Sequence, residues 1–173
     1  MPNPLQAKEE WLLCIFEVIK SDHKKVAILL EKLAKTTEDQ SEKRDRLFED
    51  MSRLFYAHAK SEEEAVYSRL KEADKTRHIG FENSEEHILI YRLLEEMANL
   101  APSREIWTAK LKVATDLIQS HVKEEESEMF KKMKKVFDND ELKEMTITMK
   151  ELEKGYPVGT PAAGAEPEEI RVH

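Results

Sequence analysis

Between Trp107 and Met129 the apolar residues Trp107, Leu111, Ala114 and Ile118 recur at intervals of three and four, and His121 and Glu125 occupy the next slots of the same stripe. The same happens upstream, where Leu47, Met51 and Leu54 lead into His58 and Glu62, with Ala65 beyond. Positions four apart lie one above the other on a helix, so His58 with Glu62 and His121 with Glu125 each form a two-toothed clamp. Both clamps sit on the stripe that should face a core. An ionised carboxylate placed there without a partner costs several kcal/mol. No Lys or Arg shares either stripe nearby, whereas a bound cation would offset the cost.

Spacing alone is weak evidence, because 28 of the 173 residues are Glu and a chance His-x-x-x-Glu is expected among six His. His78 to Glu82 is such a coincidence: Gly80 interrupts it, and 74–83 reads as a connection between helices. Spacing combined with an apolar stripe, occurring twice, is the informative signal.

The remaining pattern is that of a helical bundle. A first helix is expected from about Leu5 to Lys35, with Leu12, Ile15, Ile19, Val26, Leu30 and Leu33 on one face and His23 among them. Taken singly, His23 reads as a hydrogen-bonded core residue before it reads as a ligand. A second helix is expected over about 41–73, with Thr37 or Ser41 as its cap, a third over 84–100 with His87, Ile90, Leu94 and Met97 on one face, and a fourth over about 104–136. Ala101-Pro102-Ser103 separates the last two, with Ser103 suited to cap the fourth. Asp138 and Glu141 have the spacing of a capping box and announce a short fifth helix to about Lys154. The expected organisation is one all-α, up-down-up-down four-helix bundle over 1–154 with an extra C-terminal helix, and a disordered tail over 155–173, which holds three of the six Pro and three of the four Gly.

The formal charge of −8 argues against a nucleic-acid or anionic-membrane surface. The basic run at Lys131, Lys132, Lys134 and Lys135 falls at a helix C-terminus, where cations favour the dipole. No apolar run approaches the ~18 residues of a membrane span, and no signal peptide is recognisable, so a cytoplasmic protein is expected. Cys14, the single cysteine, is expected to be a small core or near-core residue.

The chain also carries an internal repeat. Residues 58–67 match 121–130 through His, Lys60 with Lys123, Glu62-Glu63 with Glu125-Glu126, and Tyr67 with Phe130; Asp22-His23 matches Glu86-His87 at nearly the same offset. Two helix pairs, each with two His and one Glu, bring four imidazoles and two carboxylates to a similar depth in a bundle. This mixed set suits iron, zinc, manganese or nickel, and a carboxylate can join two ions.

The ordered set His23, His58-x-x-x-Glu62-Glu63, Glu86-His87, His121-x-x-x-Glu125-Glu126 resembles the hemerythrin-like (HHE) cation-binding domains. That resemblance implies two non-haem irons joined by an oxo or hydroxo bridge, with zinc or manganese as alternatives. It implies His23 and His58 on one ion, His87 and His121 on the other, Glu62 and Glu125 joining them, and an open position for O2, NO or peroxide. The family's oxygen carriers have a fifth His one turn from the third-helix ligand. Here the two candidate positions hold Asn83 and Tyr91, of which Tyr91 could supply a phenolate or simply pack. The expected function is a di-iron protein acting in sensing, scavenging or iron handling. The alternatives are an enzyme turning over peroxide or nitric oxide, and a zinc-binding or metal-free interaction module. His78 and His173 are left out of the site, and no protein partner is indicated.

Overall fold

The computed structural model describes residues 14–156. Helix α1 spans Ile15–Ala34. Helix α2, Ser41–Glu62, runs through a π-helical turn, Glu63–Tyr67, into α3, Ser68–Glu72, as one unbroken rod. Helix α4 is Arg77–Ala98. Helix α5, Glu105–Glu124, runs through a second π turn, Glu125–Met129, into α6, Phe130–Val136, and α7 is Asn139–Gly155. The expected helix from Leu5 does not run unbroken to Lys35, because Cys14 is extended and α1 starts at Ile15; residues 1–13 and the tail beyond Tyr156 lie outside the described residues. No helix among the described residues is long and apolar enough to cross a membrane.

The apolar stripes close on one another as their periodicity requires. Ile15, Ile19, Val26, Leu30 and Leu33 of α1, Ile90, Leu94 and Met97 of α4, and Trp107, Leu111, Ala114 and Ile118 of α5 are all buried. In α2 the inward residue is Phe55, at 2% exposure, while Leu54 is 38% exposed. The expectation for Leu54 fails because Met51, Phe55, His58 and Glu62 already step by four and three around the buried face. The capping box at Asp138 forms, with Asp138 accepting from Asp140 N and Glu141 N and Glu141 accepting from Asp138 N.

Four local expectations are corrected. Helix α4 begins at Arg77, seven residues before Ser84, and Gly80 lies within it. A Cβ there would stand 3.0 Å from Leu70 Cβ and 3.0 Å from Lys71 Cγ, so Gly80 marks a close helix approach and not a break. The cap of α2 is Gln40 and that of α5 is Arg104, so Thr37, Ser41 and Ser103 do not cap. Cys14 is exposed at the cap position of α1, one residue before the buried stripe begins.

The core is divided. One cluster, including Ile19, Tyr67, Leu70, Met129, Phe130 and Met149, lies toward the end where the C-terminal helix packs. The other, including Leu33, Met51, Phe55, Leu94 and Trp107, fills the opposite half. Between them lies a layer of buried polar side chains. At the far end Arg44, 2% exposed, donates to Pro102 O, Thr108 Oγ1, Thr36 O and Thr36 Oγ1, and lies 5.2 Å from the Trp107 ring. One guanidinium thus ties the two connections at that end of the bundle, a role without a periodic signature in the sequence.

Candidate metal centre

The polar layer contains His23 from α1, His58 and Glu62 from α2, His87 from α4, and His121 and Glu125 from α5 and its π turn, each 6% exposed or less. All six residues singled out in the sequence therefore meet. Two overlapping groups have donor atoms within 4.8 Å of one another: His23, His58 and Glu125 in one, and Glu62, His87, His121 and Glu125 in the other. Glu62 Oε2 lies 3.3 Å from His58 Nε2 and 3.9 Å from His87 Nε2. Glu125 Oε2 lies 3.1 Å from His23 Nε2 and 3.4 Å from His121 Nε2. Each glutamate thus touches one imidazole from each half of the repeat.

The rings are held from behind. Nδ1 of His23 meets Glu126 Oε1 at 2.9 Å, Nδ1 of His87 meets Glu63 Oε1 at 3.1 Å and Nδ1 of His121 meets Glu86 Oε2 at 2.6 Å, while Nδ1 of His58 lies 3.5 Å from Asp22 Oδ2, an ion-pair distance without hydrogen-bond alignment. A proton kept on Nδ1 leaves the Nε2 lone pair facing inward, the tautomer a metal ligand needs. The second glutamate of each Glu-Glu pair serves the other half's first histidine, and the acid preceding that histidine serves its own half's second.

Burial opposes charge on the His58 ring, but Glu62, Asp22 and Glu125 outweigh it and hold its pKa up to about 10. Burial opposes the charged form of Glu125 too, and His121, His23 and His87 together keep its carboxyl well below the usual range. His87 and His121 approach Nε2 to Nε2 at 2.9 Å, so both cannot carry a proton there. Burial and His121 push His87 down, against Glu63; His121 is raised by Glu125 and Glu86 despite its burial. The charge on Glu125 is thus set against the raised imidazoles of His58 and His121.

That balance is incomplete. Nε2 of His23 and of His58, Oε1 of Glu62 and Oε2 of Glu125 are buried without a hydrogen-bond partner. Orphaned nitrogen and oxygen donors converging on one layer are what a cation would satisfy. Beside them is a cavity of about 10 Å³ lined by His23, His58 and His121 with Val26, Phe55, Ile118 and Val122. It has room for about one water-sized molecule against apolar walls.

Two further residues enter the layer: Tyr67, to which the spacing did not point, and Asn83, one of the two positions one turn from His87. Tyr67 Oη lies against Glu125 Oε1, 3.1 Å from Glu62 Oε2 and 3.3 Å from His87 Nε2. Burial and the two carboxylates raise its pKa well above that of an ordinary phenol. On an α-helix Tyr67 would stand about 140° around the axis from Glu62. The π turn, with its i→i+5 step, brings it round. Its repeat partner Phe130 instead packs on Phe16 at 4.9 Å. Asn83 reaches Glu125 Oε1 at 3.4 Å and Met129 Sδ at 3.2 Å through Nδ2, one turn before His87. Tyr91, one turn after, faces outward and donates to Glu63 Oε1 at 2.9 Å. His78 stands on α4 with its side chain 89% exposed, outside the layer.

Comparison with known proteins bears on the family and the fold. A protein of Nostoc sp. (strain PCC 7120 / SAG 25.82 / UTEX 2576) described as a DNA nickase is 32% identical over 129 residues, 72% of this chain but only 35% of that protein. This chain therefore spans about a third of that relative's length. A solved hemerythrin HHE cation-binding domain-containing protein from Mycobacterium kansasii superposes with a TM-score of 0.68 at 21% identity, covering 83% of this chain and 90% of that one, a likeness of fold. Residues 14–133 match the hemerythrin HHE cation-binding domain, and with that match over more than half its length the chain belongs to that family.

Proposed function

We propose that this protein holds two iron ions in the buried layer and that the pair reacts with O2, NO or peroxide, in sensing, scavenging or iron handling within the cytoplasm. The observation that carries the reading is the set of orphaned inward atoms, Nε2 of His23 and His58 with Oε1 of Glu62 and Oε2 of Glu125, backed by carboxylates on the outward nitrogens. In this reading His23 and His58 hold one ion and His87 and His121 the other. Glu62 and Glu125, each close to an imidazole of both pairs, would complete the donor set.

When bound, such a pair supplies redox-active Lewis acids with a position open to a small ligand. The chain's own residues do the rest. Asp22, Glu63, Glu86 and Glu126 fix ring orientation and raise the basicity of the nitrogens. Val26, Phe55, Ile118 and Val122 wall the cavity with apolar surface and limit what enters by size. Tyr67 and Asn83 place hydrogen-bond donors against Glu125. The two hydrophobic clusters keep the layer dry from both ends.

The acidic balance of the chain, −8, supports a small ligand over a polyanion as the reactant. The nicking named for the Nostoc relative therefore forms no part of this reading. Zinc or manganese suits the same donors, and an enzyme turning over peroxide or nitric oxide would use the same site.

The deciding measurement is elemental metal content per chain after anaerobic ferrous reconstitution, followed by optical spectra on adding O2, NO or peroxide. About two irons per chain and a ligand-dependent spectrum are expected. Retention of zinc alone, or of no metal, would sink the di-iron reading.

A further inference from the structure

The two halves of the repeat share the metal-site pattern but not their aromatic residues. Four residues after His87 stands Tyr91; four after His23 stands Ala27. Phe55 and Tyr56, before His58, correspond to Ile118 and Gln119, before His121. The rings therefore line up where the helix of His58 meets that of His87, while the repeat-related positions Ala27, Ile118 and Gln119, on the helices of His23 and His121, carry none, so the donor set does not require them.

The line is continuous. Tyr91 lies 6.0 Å from the His87 ring between centroids, and Phe55 bridges the same pair at 5.7 and 5.9 Å. Tyr91 then stacks on Tyr56 at 4.7 Å with an interplanar angle of 11°. Tyr56 is half-buried, so its ring ends the line at the surface. Electron tunnelling falls off exponentially with distance, so rings in near contact carry charge far faster than one jump across the helix. A phenol must also lose its proton when oxidised. Tyr91 Oη donates at 2.9 Å to Glu63 Oε1, the oxygen that also meets His87 Nδ1 at 3.1 Å, while Lys60 Nζ lies 3.2 Å from Glu63 Oε2 and 4.5 Å from the Tyr91 ring centre. An acceptor for the proton is thus already in hydrogen-bond contact.

We propose that Tyr91 and Tyr56 form a one-electron relay between the metal site and the surface, with Glu63 taking the Tyr91 proton and a small reductant of the phenol or enediol class supplying electrons at Tyr56. The relay rests on the iron reading above. The oxidant is peroxide consumed at the site; its reduction to two waters takes two electrons and two protons. In each relay step Tyr91 gives one electron inward through His87 and its hydroxyl proton moves to Glu63. Tyr56 then returns an electron to Tyr91, which recovers its proton from Glu63. The Tyr56 proton leaves to water, and the surface reductant gives its electron and a proton to restore the Tyr56 phenol. The electron Tyr91 passed inward is thus drawn from the surface reductant. The Glu63 proton only shuttles, while the proton used in forming water comes from solvent.

The test uses the full chain loaded with iron, with iron content measured before and after substitution. Peroxide is added, samples are frozen for electron paramagnetic resonance, and a parallel sample is trapped with a nitroso compound and peptide-mapped. A tyrosyl signal is expected, with the adduct on Tyr56. Tyr91→Phe should lose both the signal and the adduct. Tyr56→Phe, remote from the donors, should keep the signal, lose the adduct and slow the quenching of the radical by ascorbate several-fold. It carries the test even should Tyr91→Phe lose iron. Iron retained and peroxide consumed with no radical, or with the Tyr56 adduct undiminished in Tyr91→Phe, overturns the relay alone. No iron retained overturns the relay and the iron reading together.

Discussion

Nδ1 of His23 lies 2.9 Å from Oε1 of Glu126, a residue 103 positions further along the chain. The pair joins the first helix to the second π turn and turns Nε2 of His23 inward. Its counterpart across the repeat is His87 with Glu63. Removing either carboxylate leaves every inward donor in place but frees a ring. Glu126→Ala and Glu63→Ala should therefore still take metal at saturation, with affinity lowered about 10–100-fold, read by competition with a chelator. Unchanged affinity in both variants would show that these contacts do not tune the site.

Glu125 belongs to both donor groups, whereas His87 belongs to one. Glu125→Ala should cost both ions, whereas His58→Ala should cost only the ion of the His23 group and Glu62→Ala only that of the His87 and His121 group. His87→Ala should leave the His23 and His58 position able to take one ion. Elemental analysis after reconstitution distinguishes these outcomes, and equal loss in the Glu125 and His87 variants would reject the shared role.

Protons and metal compete for the same atoms, so stability should depend on pH differently with and without metal. In the metal-free protein His58 is raised from 6.5 to about 10, so its contribution is complete below 6.5 and fades as pH rises toward 10. Glu125 is depressed below 4.5, so its contribution is complete above that value and is lost as pH falls. Glu153 is pushed up to about 7 by burial and by Asp22, so its contribution declines from 4.5 upward through 7. The metal-free protein should thus be most stable near pH 4.5, lose stability as Glu153 gives up its proton and lose more beyond 6.5 as His58 does. Bound metal takes the place of the His58 proton and should carry the optimum to higher pH. Thermal unfolding of both forms across pH checks this; coincident profiles would contradict it.

Chelation should lower stability, because metal bound only to the folded chain adds about 4 kcal/mol at a free concentration a thousand times its dissociation constant. For a chain of this size that is a fall of roughly 8–16 °C in melting temperature. Calorimetry with and without chelator reads it directly.

Arg44 sits at the end of the bundle held by the far cluster, where it satisfies carbonyls of Thr36 and Pro102. Arg44→Ala should destabilise by about 1–3 kcal/mol for each acceptor left dry. Metal content should not change. A loss of metal with unchanged unfolding would reverse that assignment.

The helices, their inward faces and the six converging side chains were legible in the sequence because each rests on a periodicity or a repeat. His23, Val26 and Leu30 share a face on any α-helix, and so do Ile118, His121 and Glu125. The same reasoning misplaced Leu54 and the start of α4, where Gly80 signalled a close approach to Leu70 and Lys71, not a chain break. What only the tertiary structure decided is which chemistry surrounds the clamps. The π turns rotate Tyr67 onto Glu62 and Glu125, the packing of neighbouring helices sets Asp22, Glu63, Glu86 and Glu126 behind four imidazoles, and Tyr91 faces Glu63 instead of the layer. Periodicity determines the face a side chain occupies on its own helix. Its partner depends on how helices far apart in the chain are aligned and rotated against each other, and a one-residue π insertion changes that rotation without altering the apolar pattern that a linear reading detects.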